Sequence, residues 1–259
     1  MAAIEATHRR LGDVPSSKLM QLLSVAVPEI NALRGGGGTM TVYYVERVFD
    51  ELEKRSDISE EELAKMEFAY LSCFSHRKRP LTLHRLIVQR PDMFMDAICA
   101  VFKAAGREPE ELSEGGKLLA MAAYELLEGL RILPGQKDAD VDVDVLSKWC
   151  SEVRALAKEM DRQAITDSRI GHLLAHAPPS LVDQAWPHEA VRTVVERLSS
   201  DEVERGLATE RYNLRGVYSK AIGEGGQQER ALAKQAHDWA AAIPGFPRTA
   251  AMLLRISES

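Results

Sequence analysis

Asp92-Met93-Phe94-Met95-Asp96-Ala97-Ile98-Cys99-Ala100-Val101-Phe102-Lys103-Ala104-Ala105 is the stretch that decides the fold class. Phe94, Ala97, Ile98, Val101, Phe102 and Ala105 recur at intervals of three and four residues, which places them on one face of a helix. Val145, Trp149, Val153, Leu156 and Met160 repeat the pattern further along. Almost nothing in the chain alternates with the two-residue period of a half-buried strand. Stripe after stripe with short breaks predicts an all-α protein. The expected form is an irregular stack of amphipathic helices, solenoid-like or an orthogonal bundle.

Working outward, a first helix is expected from Ser16 or Ser17 to Leu33, kinked or divided at Pro28. Gly35-Gly36-Gly37-Gly38 interrupts the chain, and Thr39 or Thr41 caps a helix carrying Val45, Val48, Phe49 and Leu52. Ser59-Glu60-Glu61-Glu62 reads as a capping box ahead of Leu63, Met66, Tyr70 and Phe74. Pro80 and Pro91 bracket a short helix, Asp92 caps the Phe94–Ala105 stripe, and Ser113 opens a helix closed by Pro134-Gly135. The acidic segment Gln136–Asp144 is the expected junction between two helical subdomains, 1–135 and 136–259, unless the two form one continuous domain. Beyond it come the Trp149 stripe and a helix with Ile170, Leu173 and Leu174 that stops before Pro178-Pro179. Pro187 is expected in the first turn of the helix with Val191, Val194 and Val195. Ser200 starts the next helix, Gly223, Gly225 and Gly226 precede one with Ala236 and Trp239, and Pro247 begins the last. No repeat of fixed period is present, and ankyrin and tetratricopeptide consensus patterns are absent.

A chain of 259 residues with 45% hydrophobic content can bury a substantial core. A net charge of −6 with 28% charged residues excludes a general nucleic-acid coat protein. Cys73, Cys99 and Cys150 are odd in number, far apart and set among apolar residues, so they read as reduced core thiols. The opening Met1–Arg10 has no apolar leader, and no apolar run approaches the roughly 18 residues of a membrane span. A soluble cytoplasmic protein with no membrane partner is the expectation.

Motifs that carry chemistry are incomplete. After Gly35–Gly38 a phosphate loop requires Lys and Ser or Thr, to serve the phosphates and magnesium, but Thr39 and Met40 follow. Asp138, Asp140, Asp142 and Asp144 alternate as in a calcium loop. Val143 and Trp149 stand where that loop needs its turn glycine and bidentate glutamate, so Asp142 or Asp144 reads as a helix N-cap. His172 and His176 have the i, i+4 spacing that zinc favours, but Leu173 replaces the glutamate of the zincin pattern. Asp167, His188 and Glu189 are further ligands only if the fold brings them near. Otherwise the two histidines belong at the edge of the buried stripe, bonded to a carbonyl or carboxylate. No nucleophile elbow occurs. No catalytic residue, metal or cofactor is assigned.

Two stretches are candidates for interaction. His76-Arg77-Lys78-Arg79 with His84, Arg85 and Arg90 is the one dense basic patch, suited to nucleic acid or phosphate, or to complementing a helix C-terminus. Arg211, Tyr212 and Arg215 combine arginine with tyrosine, a composition that anchors interfaces or ties loops down.

Several stretches resemble the C-terminal helical region of large bacterial multidomain proteins with no established activity. They are His76-Arg77-Lys78-Arg79-Pro80, Ser168-Arg169-Ile170-Gly171-His172 through Pro178, Glu204-Arg205-Gly206-Leu207, Tyr212-Asn213-Leu214-Arg215-Gly216-Val217, Glu224 through Arg230, and Pro247-Arg248-Thr249. The resemblance transfers no catalytic residue. It implies that the histidine pair and the Gly225-Gly226 turn belong to a shared framework. In such proteins the last helix continues into a charged tail, so the end at Ser259 suggests an excised domain. The leading expectation is a non-catalytic scaffold or protein-interaction module whose partner is a protein or the other domains of a larger bacterial chain. The alternatives are a nucleic-acid-sensing or phosphate-binding module using the 76–90 patch, and a hydrolase assembled around His172 and His176.

Overall fold

The computed structural model describes residues 8–32, 39–71, 74, 80–108, 111–216 and 226–258. Among them stand twelve α-helices and a single two-stranded hairpin, so the all-α architecture holds. The chain divides into two compact units, Met1–Val101 with Glu110–Leu130, and Phe102–Pro109 with Arg131–Ser259.

The first unit contains a 3-10 turn, His8–Asp13, then α1 (Ser16–Ala32), α2 (Thr39–Leu52), α3 (Glu60–Ala69), α4 (Leu81–Gln89), α5 (Pro91–Val101) and α6 (Glu114–Gly129). Its core is apolar: Leu19 and Leu23 of α1 meet Val45, Val48, Phe49 and Leu52 of α2. Phe49 packs edge-on against Tyr70 and Phe74, with ring centroids 5.5 and 5.0 Å away. The Tyr70 hydroxyl donates to the Leu23 carbonyl at 2.7 Å, which satisfies the one polar atom of a fully buried ring. Arg55 fastens the N-terminal turn by donating to the carbonyls of Val14 and Leu11 at 2.6 and 2.7 Å. Ser59 caps α3 by accepting from the Glu62 amide, as its sequence predicts. The N-terminus of α4 has no such cap, because the preceding residue is Pro80. The buried carboxylate of Glu67 in α3 fills that role, accepting from the Thr82 and Leu83 amides at 3.3 and 2.6 Å.

The second unit holds the hairpin β1 (Gln136–Lys137) and β2 (Asp140–Val141), then α7 (Val143–Glu159), α8 (Gln163–Leu174), α9 (Glu189–Leu198), α10 (Asp201–Asn213), α11 (Gln227–Ala242) and α12 (Pro247–Glu258). Helices α8 and α10 cross at two glycines. A Cβ on Gly171 would overlap the Val203 carbonyl oxygen, and one on Gly206 would overlap the Ser168 carbonyl oxygen. Only hydrogen at both positions lets the two backbones approach this closely. On one side of the crossing Arg154 grips Asp167 with two bonds of 2.9 and 3.1 Å, and the Ser200 hydroxyl donates to the same carboxylate at 2.7 Å. Cys150 is fully buried, and burial pushes its thiol up to about 12.

Four local expectations need correction. Helix α1 continues through Pro28 without dividing, losing one rung of its ladder. The apolar stripe from Phe94 stops being helical at Val101, because Gly106 takes a left-handed turn and the Ala105 amide donates to the Asp161 carbonyl at 2.7 Å. The acidic segment after Gly135 contains a small hairpin that the sequence did not signal, although Asp142 caps α7 as expected. Pro187 lies before α9 and not within its first turn. His188 is the cap, its Nδ1 accepting from the Ala190 amide at 3.2 Å.

Candidate functional site

Helices α3 to α6 leave a groove of about 430 Å3 in the first unit. It exists because alanines face it: Ala64, Ala97, Ala100 and Ala123 are too small to fill the space between Phe68, Leu86, Ile87, Met93 and Leu126. Glu61, Lys65, Arg90 and Asp96 stand at its rim, so the walls are apolar and the edge carries both signs of charge. Leu119 of α6 lines the groove yet remains half exposed. Leu118, Met121 and Tyr124 are also exposed, Met121 by 53%. The middle of α6 is therefore apolar around its whole circumference, a composition that belongs to a covered helix.

Two arginines of the basic patch, Arg85 and Arg90, are paired with carboxylates. Arg90 donates to both carboxylate oxygens of Asp92, at 3.0 and 2.7 Å, and lies 3.6 Å from Glu61. That guanidinium holds the Asp92 carboxyl below the usual carboxylate range. Arg85 pairs with Glu60 at 2.8 Å. Arg77, Lys78 and Arg79 lie outside the described residues, as do Cys73 and the four glycines. The two described arginines therefore present a balanced rim and not a cationic surface.

His172 and His176 converge on a residue that the sequence did not single out. Glu210, almost buried in α10, lies 3.4 Å from His172 Nδ1 and 3.3 Å from His176 Nε2. Asn213 donates to its other side at 3.2 Å. Arg131 donates to His176 Nε2 at 2.6 Å and approaches Glu210 Oε1 at 3.4 Å. A guanidinium has no lone pair to offer, so His176 Nε2 is the acceptor in this contact. That lone pair is occupied by Arg131 and is not free for a metal. His176 also sits in the turn beyond α8, not on the helix. Asp167, His188 and Glu189 do not join the pair: Asp167 is taken by Arg154, and His188 caps α9. Among the described residues, no three His, Cys, Asp or Glu side chains are arranged to hold a metal ion.

Arg211, Tyr212 and Arg215 sit together at the end of α10. Arg211 lies over the rings of Trp186 and Trp239, and Arg215 over that of Tyr212. Trp186 is anchored by donating its indole N–H to the Ala177 carbonyl at 3.0 Å.

No family model matches the chain, and neither a curated protein nor a solved structure matches it. Two site features escaped the sequence. Glu210 carried a signal: with Val203, Gly206 and Leu207 it completes an i, i+3, i+4, i+7 stripe, which places a carboxylate on a buried face. The groove carried none, since an alanine lining a void and an alanine against a neighbour look alike in sequence.

Proposed function

We propose that the chain is a non-catalytic helical module that docks a partner helix in the groove of its first unit. The observation that carries this reading is α6, whose Leu119 faces the groove while Leu118, Met121 and Tyr124 stand exposed around the rest of the helix. Contiguous exposed apolar surface of this kind marks sites of protein contact. An amphipathic helix suits the shape: its apolar residues enter at i, i+3 and i+4, and its polar flanks meet the rim of Glu61, Lys65, Arg90 and Asp96. In line with the bacterial resemblance, the partner is another protein or a further segment of a longer cytoplasmic chain. No described helix is long and apolar enough to cross a membrane.

Nothing in the described residues favours the alternatives. Arg85 and Arg90 are consumed by Glu60, Glu61 and Asp92. His172 lies against Glu210 and His176 accepts from Arg131, which suits a tie between α8 and α10 better than a reacting group.

The test is a photoreactive amino acid at Leu119 in the protein expressed in its native cell. A discrete cross-link to an apolar helical segment, abolished by Ala123→Glu, is the expected result. Cross-linking to nucleic acid, or to no macromolecule at all, would remove the proposal.

A further inference from the structure

The second unit contains a pair of cations whose surroundings differ from every neighbouring ion pair. Arg131, Arg154, Arg192, Arg248 and Arg255 each reach a carboxylate. Among the described residues, Arg211 and Arg215 do not. The Arg211 guanidinium is held between two indoles, 4.5 Å from the centroid of Trp186 and 5.3 Å from that of Trp239. Among the described residues it donates no hydrogen bond and forms no ion pair. Arg215 lies beside it, stacked on Tyr212, with one long bond of 3.5 Å to the Ile256 carbonyl.

Stacking stabilises the flat faces of a guanidinium. It leaves the N–H donors at the edge available to a ligand. Burial and the neighbouring positive charge of Arg215 both disfavour the charged form of Arg211, and the attraction of a bound anion would offset both. Both arginines face one cavity of about 150 Å3, whose other walls include Trp186, Trp239, Leu253 and Ile256, with the Gln235 amide at its edge. That volume admits a group of a few heavy atoms and is far smaller than the pockets that hold drug-sized ligands. A planar fork of donors matches a carboxylate with two parallel bonds. The indole and aliphatic walls suit a short apolar group next to that carboxylate.

We propose that the cavity bounded by Arg211, Arg215, Trp186 and Trp239 binds a carboxylate that carries a short branched apolar group. The carboxylate lies in the plane of Arg211 and bridges to Arg215. The apolar group rests against Leu253 and Ile256. Such a group occurs as a small free acid and as the last residue of a peptide chain, and the recognition chemistry is the same for both.

The test uses the whole chain and the indole N–H resonances of its three tryptophans, Trp149, Trp186 and Trp239. Isovalerate and N-acetyl-leucine are titrated in parallel with isovaleramide and inorganic phosphate. Saturable shifts of the Trp186 and Trp239 signals with either acid, and a still Trp149 signal, are expected. A tighter response to N-acetyl-leucine assigns the site to chain ends, and an equal or tighter response to isovalerate assigns it to free acids. Arg211→Lys keeps the charge and loses the planar fork, so it should weaken binding by about tenfold. Arg215→Gln is the second variant and should weaken binding even if the first fails to fold. Equal binding of isovaleramide, a response to phosphate alone, or no saturable shift with either acid would each overturn the proposal, the last leaving a purely structural cation–π tie.

Discussion

The two units solve the same packing problem with different chemistry. The first is joined by apolar contact, with Phe49, Tyr70 and Phe74 at its centre and its ion pairs mostly at the surface. The second is fastened by buried charge: Asp167 against Arg154, Glu210 against Arg131, Glu204 against Arg248 and Arg255, and Asp183 against a fully buried Arg192. Hydrogen-bonded ion pairs have directional needs, and a unit built on them tolerates few alternative arrangements. Apolar contact is less demanding and leaves room for a partner to complete it. The difference separates a fixed frame from a face with uncovered apolar surface, and the groove lies on the latter.

The sharpest way to break this comparison is at the glycine crossing. Gly206→Ala or Gly171→Ala sets a methyl group against backbone that cannot swing aside, and should destabilise the protein by about 3 kcal/mol or more in urea unfolding. Gly115→Ala in α6 meets nothing within 4 Å and should be neutral or slightly stabilising. Equal effects at the two places would erase the contrast between the units. Next in size is Asp167→Ala, which leaves Arg154 and Ser200 without their acceptor and should cost about 2 to 3 kcal/mol. Asp92→Ala breaks a solvent-exposed pair in the first unit and should produce no resolvable change in melting.

Acid should act on the second unit through Asp183. Its hydrogen bonds from Arg192, with others from neighbouring groups, hold its carboxyl at about 2, below the ordinary 3.8. The stabilisation is fully present above pH 4 and is lost as pH falls through 4 towards 2. Melting temperature followed across that range should drop more steeply in the wild type than in Asp183→Asn, and parallel curves would remove this group from the account. The smallest expected effect belongs to the exposed face of α6. Leu118→Gln with Met121→Gln should leave stability within about 0.5 kcal/mol while reducing the binding of an apolar fluorescent dye. A large loss of stability would mean that these side chains are packed and not waiting for cover.

Helix positions were largely legible in the sequence, because apolar spacing and caps are local. Ser59, Ser113, Asp142 and Ser200 all cap the helices their positions suggest. Ends governed by distant groups were not legible. The N-terminus of α4 depends on Glu67 in another helix, and the stripe from Phe94 is cut short by a bond to Asp161. The site was legible only in fragments. His172 and His176 were visible as a pair, but Glu210 and Arg131 come from positions 34 to 45 residues away. Arg211 and Arg215 were visible as unusual, whereas the indoles that frame Arg211 come from Trp186 and Trp239, in other parts of the chain.

Native-state hydrogen exchange on the isolated protein tests the contrast between the units most directly. Amides near Gly171 in α8 and Gly206 in α10 should exchange only through global unfolding. Those from Leu118 to Tyr124 in α6 should exchange far faster, through local opening of a helix whose apolar circumference is only partly covered. Protection of α6 equal to that of α8 and α10 would contradict the account, because it would show a helix already complete without a partner.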